Sequence, residues 1–241
     1  MTLIFKRFVS CIVLFTVLGA PVVLLRADDA PQNKTSREQA TAALLWSIDT
    51  NLEYCRQWNA GHDFKSLTRG TVGVGILAEL IAAKQDDDSW KKSAESLSTA
   101  VRALDSAAKK RDAAAVTMSL QSVRDAATAF KKLPAGGKAV PLTKTRATFR
   151  NLMYLMEGTF ADAKTSLAVS DGENAKKSAI VLSELGQIVS NEKMNPEWQQ
   201  WSADFLTATS AAINAETSDT AKLKPLFHTI SARCDTCHAK K

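Results

Sequence analysis

From residue 36 onward the chain is written almost entirely in helical periods, and this constrains its fold more than any other feature. Ala40, Leu44, Ile48, Leu52 and Cys55 recur every three or four positions, which puts them on one side of a 3.6-residue helix. The 241 residues hold only ten Gly and six Pro, so few breakers interrupt the periods. An all-α fold is the expectation.

Local signals divide the pattern into eight segments. Ser36-Arg37-Glu38-Gln39 predicts a capping box that opens a helix over 37–60. Gly61, His62 and Asp63 then make a turn, and a second helix covers 64–85 through Leu67, Val72, Ile76, Leu77 and Leu80. Gly70, Gly73 and Gly75 lower its propensity but are small enough for close helix contact. Asp86 to Ser89 form a turn before a third helix over 89–109, and a fourth runs from Asp112 to Leu133. Pro134 to Pro141 contain two Pro and two Gly and mark a domain boundary. The second half repeats the plan with a helix over 142–166 and a capping box at Ser170-Asp171-Gly172-Glu173, whose helix reaches 189. Asn195-Pro196 opens the next helix, which extends to Glu216. The last begins at Asp219 or Thr220, and Pro225 marks either its true start or a bend. The architecture predicted is two tandem antiparallel four-helix bundles, 36–133 and 142–241.

The halves read as an internal duplication offset by about 108 residues, with Trp90 matching Trp198 and Leu97 matching Phe205. With one residue dropped, Leu120 to Val123 fall against Phe227 to Ile230. Carried to its end, the register sets Ala127, Phe130 and Lys131 opposite Cys234, Cys237 and His238.

Residues 1–27 have the form of an export signal. Lys6 and Arg7 precede an apolar run, and Leu25-Arg26-Ala27 leads into two acids. A retained anchor is the alternative, because the run approaches the roughly 20 apolar residues that span a bilayer. Either outcome places the rest outside the cytoplasm, in the periplasm of a Gram-negative cell, and cleavage leaves no stable membrane insertion. The whole chain carries +6; without residues 1–27, 28 basic residues face 25 acidic ones. So small an excess, with no Arg stripe, argues against nucleic acid.

Four cysteines occur. Cys11 lies in the export segment, and Cys55 falls in a helical pattern that predicts a buried thiol. Cys234-Asp235-Thr236-Cys237-His238 is a C-x-x-C-H sequence, the signature of covalent haem attachment. Two thiols one helical turn apart can add to the two vinyl groups of one haem, and the adjacent His238 can ligate its iron. A thioredoxin-type dithiol needs a strand-to-helix context, which is missing from the pattern. Structural zinc needs four ligands, with only Cys55, His62 and His228 left to help. For the opposite side of the iron, Met153 and Met156 stand three apart on one helix face, and core packing is the alternative for both. His228 precedes His238 by ten residues, about 15 Å of helical rise, which suits a surface position. Trp198, Trp201 and Phe205 make one aromatic face that suits either a haem wall or plain core.

On these residues the second half resembles the cytochrome c-prime and c-556 family. The resemblance spans about 145–240 and consists of a first-helix Met, a Trp-x-x-Trp-x-x-x-Phe stretch and the terminal C-x-x-C-H. It implies a four-helix bundle with haem c on Cys234 and Cys237, His238 as proximal ligand, and Met153 favoured over Met156 on the distal side. The basic residue that the family often carries beyond the motif would have to be Lys240 or Lys241. The first half resembles the same bundle without its cofactor, a structural or docking partner for the second. The expected function is one-electron transfer with a redox partner protein. Gas binding at an open distal site and a non-redox binding module stapled by haem are the alternatives. A homodimer accords with the resemblance. Catalysis is not indicated, since no nucleophile–base pair or phosphate-binding loop stands out.

Overall fold

A computed structural model describes residues 35–85, 87–134, 145–191 and 196–239, the last four without their side chains. The expected export signal, 1–27, and most of the expected boundary, Pro134 to Pro141, lie outside them. The described residues form eight helices: α1 (Arg37–Ala60), α2 (Phe64–Gln85), α3 (Asp88–Lys109), α4 (Ala113–Lys131), α5 (Phe149–Ala168), α6 (Gly172–Ser190), α7 (Pro196–Asn214) and α8 (Thr220–Ala239). Each packs on its successor within α1–α4 and within α5–α8, giving two four-helix bundles in tandem.

One turn type builds three of the hairpins. His62, Arg111 and Ser170 take positive φ of 56°, 57° and 61°, and an Asp follows each. The backbone N–H of that Asp reaches back five residues: Asp63 to Trp58, Asp112 to Ala107 and Asp171 to Ser166, at 2.8–3.2 Å. The reach closes the outgoing helix in the manner of a Schellman motif. Each Asp side chain then caps the incoming helix, accepting from the N–H of Ser66, Ala115 and Asn174 respectively. Asp63 and Asp171 stand 108 residues apart, and Asp112 stands 107 before Asp219, which caps α8. These are the two offsets at which the halves align in the sequence.

Two helix openings differ from expectation. Helix α5 starts at Phe149, not at 142, because Thr148 caps it. The residues before it are instead tied to the first bundle: the Thr145 hydroxyl donates to Glu79 Oε2 at 2.6 Å, and the Arg146 N–H to the same oxygen at 3.3 Å. Helix α6 is capped by Asp171 and not by Ser170, and no capping box forms, since Glu173 accepts from the Thr217 hydroxyl. Helix α8 starts at Thr220, one of its two expected starts, and continues through Pro225, which is therefore not its start. At Ser36 the capping box is present in both directions, 3.0 and 3.1 Å.

Helices α2 and α6 are buried on most sides, and each has three neighbours. Helix α2 packs on α1, α3 and α5, and α6 on α5, α7 and α1. This accounts for the apolarity of α2, which is long and apolar enough to cross a membrane yet lies mostly inside the protein. Gly70 admits the Trp58 ring: a Cβ there would lie 2.5 Å from it. Gly73 admits the second bundle, with Leu155 Cδ1 3.1 Å from where its Cβ would be. Lys84 and Glu184, both largely shielded, pair across the same seam at 2.8 Å.

The turn into α8 packs on the start of α6 so closely that a Cβ on Gly172 would fall 1.9 Å from the Thr217 carbonyl oxygen, whereas one on Gly158 meets nothing within 4 Å. Gly172→Ala should lower stability by about 1–3 kcal/mol through overpacking. Gly158→Ala should raise it by about 0.5–1 kcal/mol through helix propensity. Urea unfolding of both variants checks the pair.

Candidate functional site

The end of α8 is positioned by an apolar stripe. Leu223, Phe227 and Ile230 are at most 2 % exposed, and Cys234 continues their four-three-four spacing as a half-buried residue. Two contacts from α7 hold the turn that leads into the motif. Trp201 Nε1 donates to the Arg233 carbonyl at 2.6 Å, and Asp204 pairs with the Arg233 guanidinium at 3.3 Å. Cys237 and His238 belong to the final turn of α8, but their side chains lie outside the described residues.

Cys234 faces a cavity of about 520 Å³ between α5, α7 and α8. Its apolar walls are Met153, Met156 and Phe160 from α5 and Trp201 from α7. Met156 is buried and Met153 half-buried, and both reach the same space, so the one-turn ambiguity of the sequence persists in the fold. The rim is charged: Arg150, Lys164, Glu157 and Asp235 are all exposed. Trp201 also anchors an aromatic column. It stacks on Phe205 with centroids 5.4 Å apart and lies 4.8 Å from Trp198, which meets Phe149 at 5.6 Å. The aromatic face therefore splits its duties: Phe205 is core, and Trp201 is both wall and clamp.

The first bundle fills the matching region with side chains. Phe130, opposite Cys237 in the duplication register, is fully buried edge-on to Trp90 at 4.9 Å. Ala127, opposite Cys234, is buried as well. Cys55 lies in this bundle and is fully buried; its thiol points at the Leu67 carbonyl, and burial pushes its pKa up to about 12. It is thus a core residue and not a companion of Cys234. His228 is exposed on α8, as its spacing suggests. No group of three or more His, Cys, Asp or Glu among the described residues is arranged to hold a metal ion.

Sequence reasoning missed the Trp201–Arg233 bond and the α5 residue Tyr154. Tyr154 borders this cavity and a second one between the bundles. The Trp201 indole had a partial signal, because a tryptophan at the edge of a core needs a hydrogen-bond acceptor.

Trp201→Phe keeps the ring but removes the donor to Arg233. It should cost about 0.5–1.5 kcal/mol. Amide hydrogen exchange should accelerate selectively in the last two turns of α8. Compared with family models, with curated proteins and with the solved structures, the chain finds no match.

Proposed function

We propose that this chain is an exported monohaem c-type cytochrome that transfers single electrons outside the cytoplasm. In this reading Cys234 and Cys237 hold one haem c covalently, His238 ligates its iron, and Met153 is the distal ligand. The observation that carries the reading is the cavity of about 520 Å³, with the first motif cysteine on one wall and two methionines on another. Its volume falls in the roughly 300–1,000 Å³ range of cofactor sites. The lining fits a flat apolar ring system, and the rim cations Arg150 and Lys164 fit the carboxylates that such a ring carries.

A haem in this cavity supplies a one-electron couple, tuned by its axial ligands and its burial. The chain's own residues do the remaining work. Trp201 and Asp204 hold the turn before the motif, so the thiol of Cys234 meets the cavity at a set position. Met153 offers a soft thioether, a ligand that raises the potential and favours electron transfer. Phe160, Trp201 and Met156 supply apolar wall for the ring to pack against. The redox partner is a protein that approaches the cavity rim. A homodimer remains part of the proposal, as does the placement outside the cytoplasm.

Optical spectra of the chain matured with the haem-attachment machinery test the function. The oxidised wild type should show the weak long-wavelength band of a Met–iron bond, and Met153→Ala should abolish it and lower the midpoint potential. Loss of the band in Met156→Ala alone would move the ligand one turn. A high-spin spectrum indifferent to both changes, with carbon monoxide binding at neutral pH, would replace electron transfer by gas binding.

A further inference from the structure

The second cavity, about 350 Å³ between α1, α2 and α5, has a chemical character of its own. Three aromatic rings line it: Tyr54 and Trp58 from α1, stacked with centroids 5.6 Å apart, and Tyr154 from α5. Asp162 lies among them and is only 6 % exposed. Its Oδ1 accepts from the Tyr54 hydroxyl at 2.7 Å. Among the described residues its Oδ2 has no partner. The carboxylate is thus largely buried on one hydrogen bond, and its Oδ2 is not sealed from solvent, so a ligand can reach it.

The remaining polar groups point the same way. The Asn51 amide nitrogen donates to Ser47, which leaves its oxygen as an acceptor. Glu157 stands at the rim without an ion pair among the described residues. The charged lining is thus Asp162 and Glu157 from α5 and Arg69 from α2, with none from α1. Arg69 lies 4.4 Å over the Tyr154 ring, so one π face already takes a cation. The arrangement sets two carboxylates and three π faces against one cation, Arg69. An anion would meet two carboxylates there. A cation would meet two carboxylates, an amide oxygen and three rings, and the exposed Arg69 can withdraw into water as it enters.

We propose that the seam between the bundles is a binding site for a small organic cation, a primary ammonium on an aromatic or apolar body, with Asp162 as its counter-ion. The site lies outside the candidate haem cavity and does not depend on the haem reading. Burial holds the Asp162 carboxyl above the usual carboxylate range, and burial with the neighbouring Asp162 pushes Tyr54 up to about 12. An ammonium ligand favours ionised Asp162, so affinity rises as pH rises through the raised Asp162 value, while Tyr54 stays a donor throughout.

Isothermal titration of the full processed chain with phenethylamine, and with 3-phenylpropionate as the anion of like shape, tests this. Phenethylamine should bind saturably and the carboxylate should not. Asp162→Asn, checked for helicity by circular dichroism, should weaken binding about tenfold or more. If that variant does not fold, the wild type alone decides: affinity should be higher at neutral pH than in the acid range where the Asp162 carboxylate takes up its proton. The proposal is overturned by equal or tighter binding of the carboxylate, by undiminished affinity in a folded Asp162→Asn, by a flat pH dependence, or by no saturable heat from the amine. Haem content, read from absorbance in the same samples, keeps the outcome separate from that of the cytochrome reading.

Discussion

Helix α5 has to satisfy two sets of neighbours at once, and the rest of the structure follows from how it does so. One side meets the first bundle, where Asp162 accepts from Tyr54, Leu155 lies against Gly73 and Tyr154 carries Arg69. Another side presents Met153, Met156 and Phe160 to the cavity that contains Cys234. An α-helix cannot rotate one face without rotating all of them. The seam between the bundles therefore sets which α5 side chains face α8. Glu79 adds to this by tying down residues 145 and 146 just before the helix begins.

This gives the first bundle a physical role. Its own interior is filled where the duplication would place an attachment residue, with Phe130 against Trp90. What it contributes is a surface: α1 and α2 pack on α6 and α5 and hold them from behind. The Lys84–Glu184 pair lies in that surface, and removing one partner of so shielded a pair would leave a charge without compensation.

The sequence made the helices and their order legible because both depend on local chemistry. Ser36, Asp112 and Asp219 each bond to a backbone N–H three residues on, and apolar periods need no distant information. Its errors fall where a distant residue also takes part. The start of α5 lies at the Thr148 cap, and Glu79, more than sixty residues earlier, takes the polar groups of 145 and 146 ahead of it. The α6 cap moved by one residue because Ser170 adopts the left-handed turn position, and Glu173 is engaged by Thr217. At the candidate site the C-x-x-C-H motif was plain, and the paired methionines were visible as a face. The Trp201 clamp was not, since its acceptor is a backbone carbonyl that no sequence pattern marks. Asp162 left a faint trace, as an acid on the otherwise uncharged buried face of α5.

The central claim is that the cavity between α5, α7 and α8 belongs to a covalently held haem. Intact-mass spectrometry of the chain, produced with the haem-attachment machinery and then stripped with acid and organic solvent, tests it most directly. The account predicts a mass increased by one haem, located on the peptide containing Cys234 and Cys237 and absent from the Cys234→Ser/Cys237→Ser variant. An unmodified mass, with both motif thiols open to alkylation in the unfolded protein, would contradict it.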